Sequence, residues 1–166
     1  MRKFDWAEIS EYTVMEIGRF AILWNRFEAY YFDKSYSRSR LDATLPTLLG
    51  EYDEQSTIEV SLAMNKRIQE LDLHGLGNDC TDYYIRTKLG VTDRGNDIID
   101  VKNFIDNYFE QGQSDRMRAA IISIHRIRCN MFHGEKDADA TDIRGLSAQI
   151  PLFESINKFL FQMVRA

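Results

Sequence analysis

The stretch SDRMRAAIISIHRIRCNMFHG, Ser114 to Gly134, decides the fold. Met117, Ala120, Ile121, Ile124, Ile127 and Met131 recur every three or four residues, the spacing of an amphipathic helix. Gly112 breaks the preceding pattern, Ser114 is a residue type that caps helix starts, and Gly134 is one that ends helices. At about 100° per residue, with Ile124 at zero, the apolar set lies within about 60° of it. Arg126, His133 and Asn130 fall opposite, at about 200°, 180° and 240°, and Cys129 at about 140°. The expectation is a long helix with a core face and a narrow polar stripe behind it. Arg128, at about 40°, is the misfit. A cation beside a core face needs a carboxylate, and Glu28 in WNRFEAYYF is the candidate partner.

Working outward, the same spacing predicts further helices. From about Asp5 to Phe32, Trp6, Ile9, Thr13, Ile17, Phe20, Trp24, Phe27 and Tyr31 make one stripe, with Asp5 as cap and Gly18 as a place to kink. Val60, Met64, Ile68 and Leu71 mark a helix from about Ser56, with Ser56 as its cap. Val101, Phe104, Ile105, Tyr108 and Phe109 mark another, capped by Asn96 or Asp97. Asp139 to Ala166 has helical spacing divided at Pro151. Asp33 to Glu54, punctuated by Pro46 and Gly50, reads as a loop, either solvated or touching RNA through Lys34, Arg38, Arg40 and Tyr36. TDYYIRTKLG reads equally as a short helix capped by Thr81 or as an extended piece. Together these predict an all-α chain, an antiparallel bundle of about five helices, with residues 1–166 as one domain.

Composition agrees. Only 2 prolines and 9 glycines among 166 residues favour long helices over a turn-rich β fold. A net charge of −5 means that any nucleic-acid contact must come from a local basic patch. Cys80 and Cys129 have no CxxC spacing and form no disulfide framework. No apolar run is long enough to span a membrane, and the N-terminus turns acidic too early for a signal peptide, so a cytoplasmic setting is expected. HGLGND matches no phosphate-binding fingerprint, and His74 reads as a loop histidine.

Three readings compete for HRIRCNMFHGEK, His125 to Lys136. A helix C-terminus favours cations, which accounts for His133 before Gly134 but not for the crowding. Cys129 and His133 are spaced as metal ligands can be, yet no second pair stands nearby, so neither metal nor cofactor is expected.

The third reading is recognition. IRCNMFHGEK resembles the signature of the HEPN superfamily, the prokaryotic and eukaryotic helical nucleotide-binding domains: an Arg followed four to six residues later by His, at the end of a long helix. Arg128, His133 and Gly134 fit, and Arg126 satisfies the longest spacing. Cys129 stands where the catalytic families often carry Asn, Asp or His, with Asn130 one further on. LWNRFEAYYF also looks like the first helix of several HEPN families.

The resemblance implies a metal-independent endoribonuclease working as a homodimer. RNA carries its own nucleophile, the 2′-OH, so catalysis needs an acid–base group and positive charge at the phosphate. His133 is the expected acid–base residue, Arg128 the phosphate fork and Asn130 an orienting group. Arg126 and Lys136 are expected phosphate contacts. Arg128 and His133 differ by about 140° on a regular helix, which points to a second subunit completing the site through this helix. The implied setting is a toxin or a phage-defence effector with an antitoxin partner. The other expectation is a non-catalytic HEPN-like module that binds a nucleotide, RNA or a protein.

Overall fold

The computed structural model describes residues 10–71, 76, 79–132 and 149–165. Among these the chain is all-helical, with seven α-helices and no strand. They are α1 (Glu11–Tyr31), α2 (Arg38–Leu49), α3 (Glu54–Glu70), α4 (Cys80–Tyr83, continuing as a π-helix over Tyr84–Leu89), α5 (Asp97–Asp106), α6 (Gln113–Phe132) and α7 (Ile150–Val164). A 3₁₀ turn, Tyr108–Glu110, links α5 to α6.

Helix α1 starts where Ser10 is extended and its hydroxyl accepts the Thr13 N–H at 3.1 Å. It runs through Gly18 without interruption. Its buried stripe includes Phe20, Leu23, Trp24, Phe27 and Tyr31. Trp6, Ile9 and the expected Asp5 cap lie outside the described residues. Helix α3 is capped by Asp53 rather than Ser56: the Asp53 carboxylate accepts the Ser56 N–H at 3.1 Å. Val60, Met64 and Ile68 face the core as expected. Cys80–Leu89, left open between helix and strand, is helical.

Asp33 to Glu54 is not all loop. Ser37 is extended, accepts the Arg40 N–H at 3.1 Å and starts α2, which buries Leu41 and Leu48. Pro46 lies within this helix. The residues that read as loop signals, Ser37 and Pro46, are its cap and a tolerated interior proline. Two other expectations shift. Pro151 sits in the first turn of α7. Phe109 points to solvent, because α5 ends at Asp106 and the 3₁₀ turn re-aims the chain. Ile143 and Leu146 lie outside the described residues.

Helix α6 is the hub, contacting α2, α3, α5 and the π-helical segment, while α7 packs on α1 and α3. It begins at Gln113, one residue before Ser114. Residues 119 to 124 are all buried. Six consecutive residues cover more than a full turn of about 3.6. Both sides of α6 are therefore covered, and Ser123, buried at its centre, donates back to Ala119 O at 2.7 Å.

Charges fasten the elements around this hub. Asp97 is 5% exposed, receives Arg38 Nε from α2 on both oxygens at 2.9 Å and receives Arg118 Nη2 from α6 at 2.9 Å. Asp42 and Asp100 complete the cluster on the same two arginines. Arg116 donates to Tyr108 O at 2.9 Å and to Glu54 at 2.8 Å, tying α3 to the 3₁₀ turn. Glu16 is buried against Asn157 Nδ2 at 2.9 Å and Arg19 Nη1 at 3.1 Å, joining α1 to α7.

Two outcomes follow. Asp97→Ala leaves two partly buried guanidiniums without their central carboxylate, so unfolding free energy in urea drops by about 3 kcal/mol. Burial pushes the Tyr84 phenol up from 10.0 to about 12. It does the same to Tyr31, whose hydroxyl donates to Met163 O at 2.7 Å. A folded-state value above the unfolded one means full stability below that unfolded value and loss as pH rises through the folded one. The urea midpoint should therefore hold up to pH 10.0 and fall toward pH 12, with Tyr84→Phe falling less.

Candidate functional site

Helix α4 with its π-helical extension ends at Gly90, whose φ of 70° is left-handed. A Cβ there would stand 3.0 Å from Arg126 Nη2, so both the turn and the close approach require glycine. The end of a helix leaves carbonyls without partners. Here α6 supplies them: Asn130 Nδ2 donates to Lys88 O at 2.8 Å and Leu89 O at 3.1 Å, and Arg126 Nε donates to Leu89 O at 3.0 Å. The stripe opposite the core face is thus a second packing face, with polar groups aimed at another helix's main chain.

Next to it lies His125. Its ring stacks on Tyr36 at 4.0 Å and 28°, meets Trp24 at 5.7 Å, and has Nε2 3.4 Å from Cys129 Sγ. Burial raises the Tyr36 phenol well above its ordinary 10.0, so it stays neutral across working pH. A pocket of about 280 Å³ opens here, lined among others by Tyr36, Arg38, Gly90, Arg94, Asp97, His125 and Arg126. Asp97 already holds Arg38, while Arg94 is exposed at the rim. With Arg38 held by Asp97 and Asp42, Arg94 and Arg126 supply the pocket's positive charge, and its tyrosine and histidine add ring surface. Chemically it suits a phosphate beside a planar base.

Of the residues expected to form a site, Arg126 is in this pocket and Asn130 is its neighbour on the same carbonyls. Arg128 is half-buried on α6, about 160° round the helix from Arg126 and not among the pocket lining. Glu28 is half-buried and its carboxylate accepts the Tyr36 N–H at 3.1 Å, bracing the turn after α1. His133, Gly134, Lys136 and His74 lie outside the described residues. Cys80 and Cys129 are free thiols, and among the described residues no three His, Cys, Asp or Glu side chains gather as metal ligands. No described helix is long and apolar enough to cross a membrane.

Tyr36 and Arg38, read as a possible RNA-touching run, do line the pocket, while His125 and Arg94 were missed as site residues. The one usable signal was the basic, aromatic run around Tyr36, which the fold brings against His125. Arg94 carried no signal, since it is close to α6 only in three dimensions.

Asn130→Ala strips Lys88 and Leu89 carbonyls of donors that water cannot fully replace. It should lower stability by about 1–3 kcal/mol, with faster amide exchange concentrated in residues 84–91.

Compared with family models, with curated proteins and with solved structures, the chain matches none of them.

Proposed function

We propose that this chain is a metal-independent endoribonuclease of the HEPN type, with the corresponding helical bundle, and that its half-site lies at the end of α6. The observation that carries the reading is that α6 runs unbroken to Phe132. Arg128 therefore lies within two turns of Phe132, and His133 is the next residue in the sequence. Arg128 stabilises the phosphate with its two-pronged guanidinium, and His133 moves the proton. The 2′-oxygen loses its proton and attacks phosphorus, the P–O5′ bond breaks, and the departing 5′-oxygen is protonated. The products are a 2′,3′-cyclic phosphate and a 5′-hydroxyl, and no metal is required. The pocket of Arg94, Arg126, His125 and Tyr36 binds a neighbouring phosphate and base, and Lys136 adds charge. Asn130 has both amide hydrogens on main-chain carbonyls, so only its Oδ1 is left to accept a bond at the site. An enzyme of this kind must be restrained in the cell that makes it, which fits a toxin or phage-defence effector with an antitoxin partner.

One observation favours a second reading, a non-catalytic RNA- or nucleotide-binding module. Arg126 and Asn130, two of the polar residues of the stretch, already serve the end of the neighbouring helix.

Incubation with RNA in EDTA separates the two. The nuclease reading expects cleavage to cyclic-phosphate ends, with His133→Ala slower by about 10²–10⁴-fold at unchanged Tm. Binding without cleavage by the wild type, equal in His133→Ala and weakened by Arg94→Ala, would establish the module instead.

A further inference from the structure

Among the described residues, one flank of α1 has no partner. Its buried residues, such as Phe20, Leu23, Trp24 and Phe27, face the core. On the other side Glu11, Met15, Gly18, Ile22, Asn25 and Ala29 are exposed, alternating steps of four and three residues. That alternation is the seam spacing of two packed helices. Met15 is 50% exposed and Ile22 is 60% exposed, large apolar side chains in water. Gly18 sits between them, and a Cβ built there meets nothing within 4 Å. The seam borders an open groove of about 900 Å³ between α1 and α7, walled by Tyr12, Leu23 and the 54% exposed Phe161.

Charge decides the occupant. Glu11 lies at one end of the seam and Arg26 flanks the other, and neither has a salt bridge among the described residues. An antiparallel copy of α1, with a two-fold axis between Gly18 and Arg19, matches every position whose numbers add up alike. Glu11 then meets the partner's Arg26, and Met15 meets the partner's Ile22. Gly18 receives the partner's Arg19. The two Arg19 side chains near the axis are each already neutralised by Glu16, whose Oε1 is 3.1 Å from Nη1. A parallel copy would instead set Glu11 against Glu11 and Arg26 against Arg26.

We infer that α1 is the docking face for a second copy of this chain, packed antiparallel about a two-fold axis between Gly18 and Arg19. Such an interface is isologous: each patch binds its own image. The middle of helix α6 offers a second copy no such flank, because residues 119 to 124 are buried all round. This interface is separate from the dimer expected through the end of α6. This proposal does not rest on the ribonuclease reading.

Analytical ultracentrifugation of the full chain tests it. The wild type should sediment as a dimer. Ile22→Glu should sediment as a monomer with an unchanged circular dichroism spectrum and Tm, since the side chain is outside the core. Glu11→Arg and Arg26→Glu should each raise the dimer Kd about tenfold, because every pair occurs twice and attraction becomes repulsion. The double variant Glu11→Arg/Arg26→Glu should return to the wild-type Kd. A monomeric wild type, a dimer indifferent to Ile22→Glu, or two charge reversals that add without rescue would each overturn it.

Discussion

The middle of helix α6, residues 119 to 124, is enclosed, and most of the structure answers to that constraint. A helix covered on one side can give its polar residues to water. Where a helix is covered all round, they must find protein partners, since a buried donor left unpaired costs about 1–3 kcal/mol. Ser123 turns to its own carbonyl, Arg116 and Arg118 reach acidic groups on neighbouring elements, and Arg126 and Asn130 close the end of the π-helical segment. The polar stripe that looked like a functional surface is for half its length a set of joints.

The same constraint shapes the site. Arg126 is held by one nitrogen on Leu89 O, and Gly90 leaves room for the rest of its guanidinium. The backbone turn, the cation and the stacked Tyr36–His125 pair thus define a single pocket. Its rigidity comes from Asp97, which ties α2 to α5 and α6 directly beneath Arg38. The proposed phosphate surface is preorganised by the fold's own anchors, so binding there would cost little reorganisation. It also explains how a chain with a net charge of −5 can present a positive site.

Much of the fold was legible. Stripes on α1, α3, α5 and α6 were read from apolar spacing, because side-chain burial imposes a helical period that survives in one dimension. Helix α2 was hidden: its cap serine, basic start and interior proline carry the same letters as a loop, and only Leu41 and Leu48 are buried. Asn96 does stand at the start of α5, but the cap of α3 was misplaced by three residues, because Asp53 and Ser56 are both capping types and only local geometry chooses between them. At the site, the resemblance singled out Arg128 and His133 from their spacing along one helix. It could not find His125, Arg38 and Arg94, since their proximity is made by chain crossings between α2, α6 and the turn before α5.

By itself the sequence determined that the chain is helical and which face of each long helix turns inward, because both follow from local periodicity and the free energy of burying apolar area. It also placed a cationic, histidine-bearing run at the end of one of these apolar stripes. Only the tertiary structure decided that the middle of α6 is surrounded. It alone assigned Arg126 and Asn130 to another helix's carbonyls, put Tyr36 on His125, and left one flank of α1 uncovered among the described residues. Those depend on which elements lie side by side, and no single helix carries that information in its own period.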